Sequence, residues 1–161
     1  MKQNNLFIHK LIATGLGSGY CPFAPGTMGA LLAVGLWLLA FVCVDFESLR
    51  WITLGAVCLF TVLGVHSTNV LRPLWGEDPS RVVVDEMVGT WIALLAVPGG
   101  GGIAWGYVAG AFVLFRLFDI FKPLGIRRME RFPGGVGVMA DDVLAGIYSF
   151  ILLLSVRCLW G

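Results

Sequence analysis

"MVGTWIALLAVPGGGGIAWGYVAGAFVLF", Met87 to Phe115, runs without a single charged side chain. A helix that crosses the hydrocarbon core of a bilayer needs roughly 20 apolar residues, so this stretch is too long for one span and short for two. Pro98 and the glycines at 99 to 102 break it into a hairpin. Three further runs carry no charge: Leu11 to Val44, Trp51 to Leu71 and Val143 to Val156. Together they predict an all-α, polytopic helical membrane protein with about four to five apolar helices, an N-terminal helix and a Gly/Pro-rich loop.

Composition agrees. The 161 residues are 58% hydrophobic and 13% charged, with a mean hydropathy of +0.87, whereas ordinary soluble domains have about 25% charged residues. The length predicts a single domain over 1–161. A formal net charge of +1 gives no basic field, and no Lys/Arg stripe is interleaved with aromatics, which argues against nucleic acid as a partner. The four cysteines have no C-x-x-C spacing, so neither a disulfide framework nor a zinc site is expected. His9 and Lys10 interrupt the N-terminal apolar stretch early, unlike a cleaved secretory signal. No internal repeat, linker or obligatory protein partner is apparent.

The predicted helices are 28–44, 51–71, 81–97, 103–122 and 142–158, with irregular backbone over 15–26, where glycine and proline are dense. Placing the N-terminus inside makes 45–50 and 98–102 external turns. All of the eleven Lys/Arg except Arg50 and Arg157 then lie inside, as the positive-inside rule requires. The competing soluble reading takes the shorter apolar runs as buried core helices.

Charge gathers at the ends of these runs. Asp85 with Glu86, Asp119, and Asp141 with Asp142 form three acidic sites, mixed with Arg116, Lys122, Arg127, Arg128 and Arg131. Mg2+ takes one or two carboxylates plus phosphate oxygens, so converging acids on a basic face fit a phosphate-directed cation site. Each acid could instead be a helix cap stabilised by the macrodipole, and each base a snorkelling side chain. Arg116, Asp119 and Lys122 follow a spacing of three along one helix side, ending before Pro123. The loop "GSGYCPFAPGTMGA" places backbone N–H groups beside a helix start, which suits an anion. His66 reads as a polar cap. Neither the cysteine-phosphatase loop, a D-x-D-x-[TV] motif nor a G-x-S-x-G elbow occurs.

Four blocks, "GLGSGYCPFAPGTMGA", "VVVDEMVGTWIALLAVP", "FRLFDIFKPLGIRRMERF" and "GGVGVMADDVLAG", resemble the phosphatidylglycerophosphatase A family in order and spacing from Gly15 to Gly146. The resemblance implies Mg2+-dependent hydrolysis of phosphatidylglycerophosphate to phosphatidylglycerol and inorganic phosphate at the cytoplasmic face of a bacterial inner membrane. Where the family has K-P-W-P-I-R this chain has "KPLGIR", and where it has D-R-x-x-H-G-G this chain has "ERFPGG" without the histidine. On this reading Asp141, Asp142 and Glu86 hold Mg2+ with Asp85 in support. Arg116, Lys122 and Arg127 neutralise the phosphate, and backbone amides near Ser18 and Thr27 receive its oxygens. Asp119 orients an attacking water or acts as nucleophile, with Lys122 and Asp142 also in the catalytic set. The rival functions are a small membrane transporter or assembly subunit, and another Mg2+-dependent lipid-headgroup enzyme.

Overall fold

In a computed structural model, which describes residues 3–76, 79–99 and 104–160, six helices follow one another: α1 (Gln3–Ala13), α2 (Pro25–Cys43), α3 (Phe46–Trp75), α4 (Val84–Leu94), α5 (Trp105–Phe121) and α6 (Gly135–Trp160). Two short 3-10 turns, Ser18–Tyr20 and Ile126–Arg131, complete the order, and no strand occurs among the described residues. Helices α2, α3 and α6 are long and apolar enough to cross a membrane.

Three helices start earlier than the sequence predicts. Helix α3 begins at Phe46 rather than 51 because Asp45 caps it, its carboxylate accepting from the Ser48 N–H at 3.0 Å and the Ser48 hydroxyl at 2.6 Å. Glu47 then lies in the first turn, where the helix dipole favours an acid, and the expected external turn over 45–50 shrinks to the residues between α2 and α3. Helix α6 begins at Gly135 rather than 142. The Gly135 N–H donates to the Asn69 side-chain oxygen of α3 at 2.8 Å, so a distant residue supplies the cap. Asp141 and Asp142 therefore sit inside α6 and cap nothing. Helix α2 starts at Pro25, with proline at its usual first-turn position. The glycines at 100 to 102 of the predicted hairpin lie outside the described residues.

Helix α4 departs most from expectation. It covers Val84–Leu94 rather than 81–97, and at 1.5 Å per residue spans about 16 Å, roughly half a bilayer core. Every residue of it except Glu86 is buried. It is the central post of the bundle, packed on α2, α3, α5 and α6, with the Trp91 indole N–H donating to the Ala33 carbonyl of α2 at 3.0 Å.

Glycines set how closely the post is gripped. A Cβ on Gly146 of α6 would land 2.5 Å from the Gly89 carbonyl oxygen of α4, and one on Gly89 would meet the Phe115 ring of α5 and lie 2.7 Å from the Asp142 carbonyl oxygen. The two backbones cross at van der Waals distance, as small residues permit between membrane helices. Alanine ordinarily stabilises a helix interior relative to glycine by about 0.5–1 kcal/mol. Gly55→Ala, where the added carbon meets open space, should leave the midpoint of thermal unfolding in detergent unchanged or raise it. Gly146→Ala should lower it, and an equal response of the two variants would contradict the crossing.

Candidate active site

The starts of α2, α4 and α6 and the ends of α3 and α5 meet at one end of the bundle around a cavity of about 670 Å³. Its wall includes Asp85, Glu86, Arg116, Asp119, Lys122, Asp141 and Asp142, so charged residues singled out on three separate segments face one space. Three helix N-termini point there, each carrying the positive end of a helix dipole.

Within the cavity the acids divide. Asp85, Glu86 and Asp142 each offer a carboxylate oxygen within 4.8 Å of the others. Asp141 turns away from this trio to pair with Lys122, its Oδ2 lying 2.5 Å from Nζ. Adjacent residues on a helix point about 100° apart, so Asp141 and Asp142 serve different partners, whereas Asp85 and Glu86 in the first turn of α4 both belong to the trio. Arg116 lies 2.6 Å from Asp119 and 4.0 Å from Glu86. Lys122 also reaches Glu130 at 2.7 Å.

The trio is electrostatically costly. Burial pushes the Asp85 carboxyl well above the usual carboxylate range, and the Glu86 charge adds to it. Burial raises Glu86 too, opposed by its hydrogen bond with Asp85 and reinforced by the charge of Asp119. Glu86 Oε2 and Asp141 Oδ1 are buried oxygens without a hydrogen-bond partner. Three converging hard oxygen donors with an orphaned carboxylate oxygen among them match what Mg2+ binds. On the cationic side, Arg116 Nε is buried and makes no hydrogen bond, a donor suited to a phosphate oxygen.

Three sequence-predicted residues do not line the cavity. Ser18 turns its hydroxyl back onto the Thr14 carbonyl at 3.2 Å. Thr27 sits one residue too far into α2, and Gly26 takes the cavity position: a Cβ there would collide with Glu86 Oε1. Arg127 is exposed beside the buried Ile126, which anchors its turn. Conversely, Arg72 and Ser80 line the cavity although their sequence context marked neither, and Glu130, which stands where the family pattern has Asp, lines it too. The glycine at 26, set directly after Pro25 where a helix begins, was the readable sign of a close approach.

Burial works to lower the Lys122 pKa, but its hydrogen bonds to Asp141 and Glu130 outweigh this and hold the ammonium above its ordinary value. A raised lysine pKa gives stability that is complete below the unfolded value near 10.4 and is lost as pH rises beyond it. Lys122→Met should therefore melt below the wild type at pH 7.5 in detergent. The gap should narrow above about pH 10.5, and a gap constant with pH would refute the ion-pair origin.

The family profile described as "Phosphatidylglycerophosphatase A" matches residues 11–157. A protein of Bacteroides thetaiotaomicron, provisionally named a phosphatidylinositol-3-phosphatase, is 59% identical over 96% of this chain and 97% of its own. Phosphatidylglycerophosphatase A of Escherichia coli is 38% identical over 93% of this chain and 84% of its own. The protein of the same name from Haemophilus influenzae is 37% identical over 91% and 87%. No solved structure matches. With its profile match spanning nearly the whole chain and its acidic and basic blocks gathered in one cavity, this chain is a membrane phosphatase of the phosphatidylglycerophosphatase A family.

Proposed function

We propose that the chain hydrolyses phosphatidylglycerophosphate to phosphatidylglycerol and inorganic phosphate, in a Mg2+-dependent reaction on the cytoplasmic side of a bacterial membrane. The observation that carries this is the meeting of three carboxylates, Asp85 and Asp142 buried and Glu86 half-buried, with Arg116 and Lys122 at the headgroup end of a lipid-embedded bundle. Phosphoryl transfer rests on positioning and charge stabilisation, which calls for both signs of charge at one place. A transporter would need ionisable groups along its path near the bilayer midplane; here they line a cavity at the helix ends. The Lys/Arg distribution supports the inside orientation: among the described residues, Arg50 and Arg157 are the Lys/Arg placed outside on this reading.

Asp85, Glu86 and Asp142 would hold Mg2+. When bound, the cation neutralises phosphate oxygens and stabilises charge developing on the leaving group. Arg116 offers its Nε to a phosphate oxygen and is steered by Asp119, and Lys122 supplies a second positive charge. The unpaired amides at the start of α2, around Gly26, add donors. Asp119 is the acid left for an attacking water or for nucleophilic attack.

The second reading takes phosphatidylinositol 3-phosphate as substrate. It is favoured by the 59% identity to the relative so named and by the departures from the family pattern at Leu124 and Gly125, at Glu130 in place of Asp and at the missing histidine, all in the segment joining α5 to α6, which contributes Lys122 and Glu130 to the cavity wall. Both lipids present a phosphate monoester to the same charged groups. Detergent-solubilised protein given each lipid separately should release phosphate from at least one, with activity abolished by EDTA and restored by Mg2+. Failure on both lipids with Mg2+ present rejects the phosphatase reading. Asp142→Asn should reduce turnover by about 100-fold or more, and near-normal turnover removes Asp142 from the site.

A further inference from the structure

Lys122 divides its ammonium between two acids that are held very differently. Asp141 lies in the second turn of α6 with 8% of its side chain exposed, whereas Glu130 is 46% exposed. Glu130 belongs to the 3-10 turn Ile126–Arg131, whose one buried residue is Ile126. Gly125 and Gly134, both in the left-handed region, bracket the segment. Exposed ion pairs contribute little, because water solvates both partners, so the Glu130 arm is the one that yields. Lys122 itself is fixed from the other side by Asp141 and by its place at the end of α5.

Both Lys122 and Glu130 line the cavity. A phosphate monoester carries close to two negative charges at neutral pH, and to use Lys122 it must come against the ammonium that Glu130 already contacts at 2.7 Å. Like charges at that separation repel. We infer that Glu130 is a stand-in anion, a positioning residue that holds Lys122 until a phosphate group displaces it. Its departure moves the rim at 126–134 away from the cavity mouth. The inference rests on the phosphatase reading above and adds the control of entry and release. Glu130 balances the cation when the site lacks substrate and, by returning to Lys122, drives inorganic phosphate out.

The test is product inhibition, measured with inorganic phosphate against lipid hydrolysis in wild type, Glu130→Gln and Glu130→Asp. Loss of the competing charge in E130Q should lower the phosphate inhibition constant about tenfold, with KM falling and kcat not rising. The charge-keeping E130D should stay within about twofold of wild type. Unchanged or weaker inhibition of E130Q overturns the proposal, as does a kcat collapse with the inhibition constant unmoved, which would make Glu130 part of the chemistry. If E130Q does not fold, the wild type still decides. Saturating inorganic phosphate should increase amide hydrogen exchange over 126–134, and decreased or unaltered exchange refutes displacement. A wild type that hydrolyses neither lipid rejects the phosphatase reading, while phosphate-dependent exchange at 126–134 still reports on the displacement.

Discussion

The contact on which the site depends is between two glycines. Gly89 lies one helical turn beyond Asp85 and Glu86, and Gly146 one turn beyond Asp142, so the point where the α4 and α6 backbones touch is also what brings the carboxylate trio within 4.8 Å. A side chain at either position would push the helices apart by the width of a methyl group. The acids would then stand too far apart to share one ion. Packing and chemistry are coupled through a single crossing, and the Phe115 ring against Gly89 extends that coupling to α5, which carries Arg116 and Asp119.

Close approach of buried acids is unfavourable by itself, and the architecture offsets it in two ways. The N-termini of α2, α4 and α6 converge on the cavity, so the positive ends of three dipoles face the negative charge. Arg116 and Lys122 at the end of α5 supply full charges, each tied to an acid: Asp119 at 2.6 Å and Asp141 at 2.5 Å. A cation bound by the trio and an anion bound by the two bases would complement each other. Phosphate ester cleavage calls for that arrangement, and burial strengthens it by excluding water.

Much of this was legible in the sequence. The uncharged runs located the apolar helices, and the acids at their ends marked the elements that meet at the cavity. What escaped was set by distant partners. Helix α6 reads as starting at 142, beside the uncharged run from Val143, yet Asn69 on α3 caps the chain at Gly135. Asp141 and Asp142 consequently appeared as terminal residues when they are interior. Helix α4 reads as a span because the sequence is uncharged from Met87 onward, but that apolar stretch reflects a helix surrounded by other helices. Ser18 and Thr27 belong to a glycine-rich stretch whose amides read as anion donors, but the cavity position falls to Gly26 against Glu86, and only the Pro25–Gly26 step at a helix start hints at that approach.

The placement of Asp141 and Asp142 inside a continuous helix separates two properties of the molecule. The carboxylate wall is built from the first turn of α4 and the interior of α6 and is anchored at a backbone crossing, whereas the connection between α5 and α6 contributes to the mouth. Headgroup preference can drift through substitutions in that connection while the hydrolytic apparatus stays intact. Relatives sharing one bundle can thus diverge in the lipid they dephosphorylate without rebuilding how they do it.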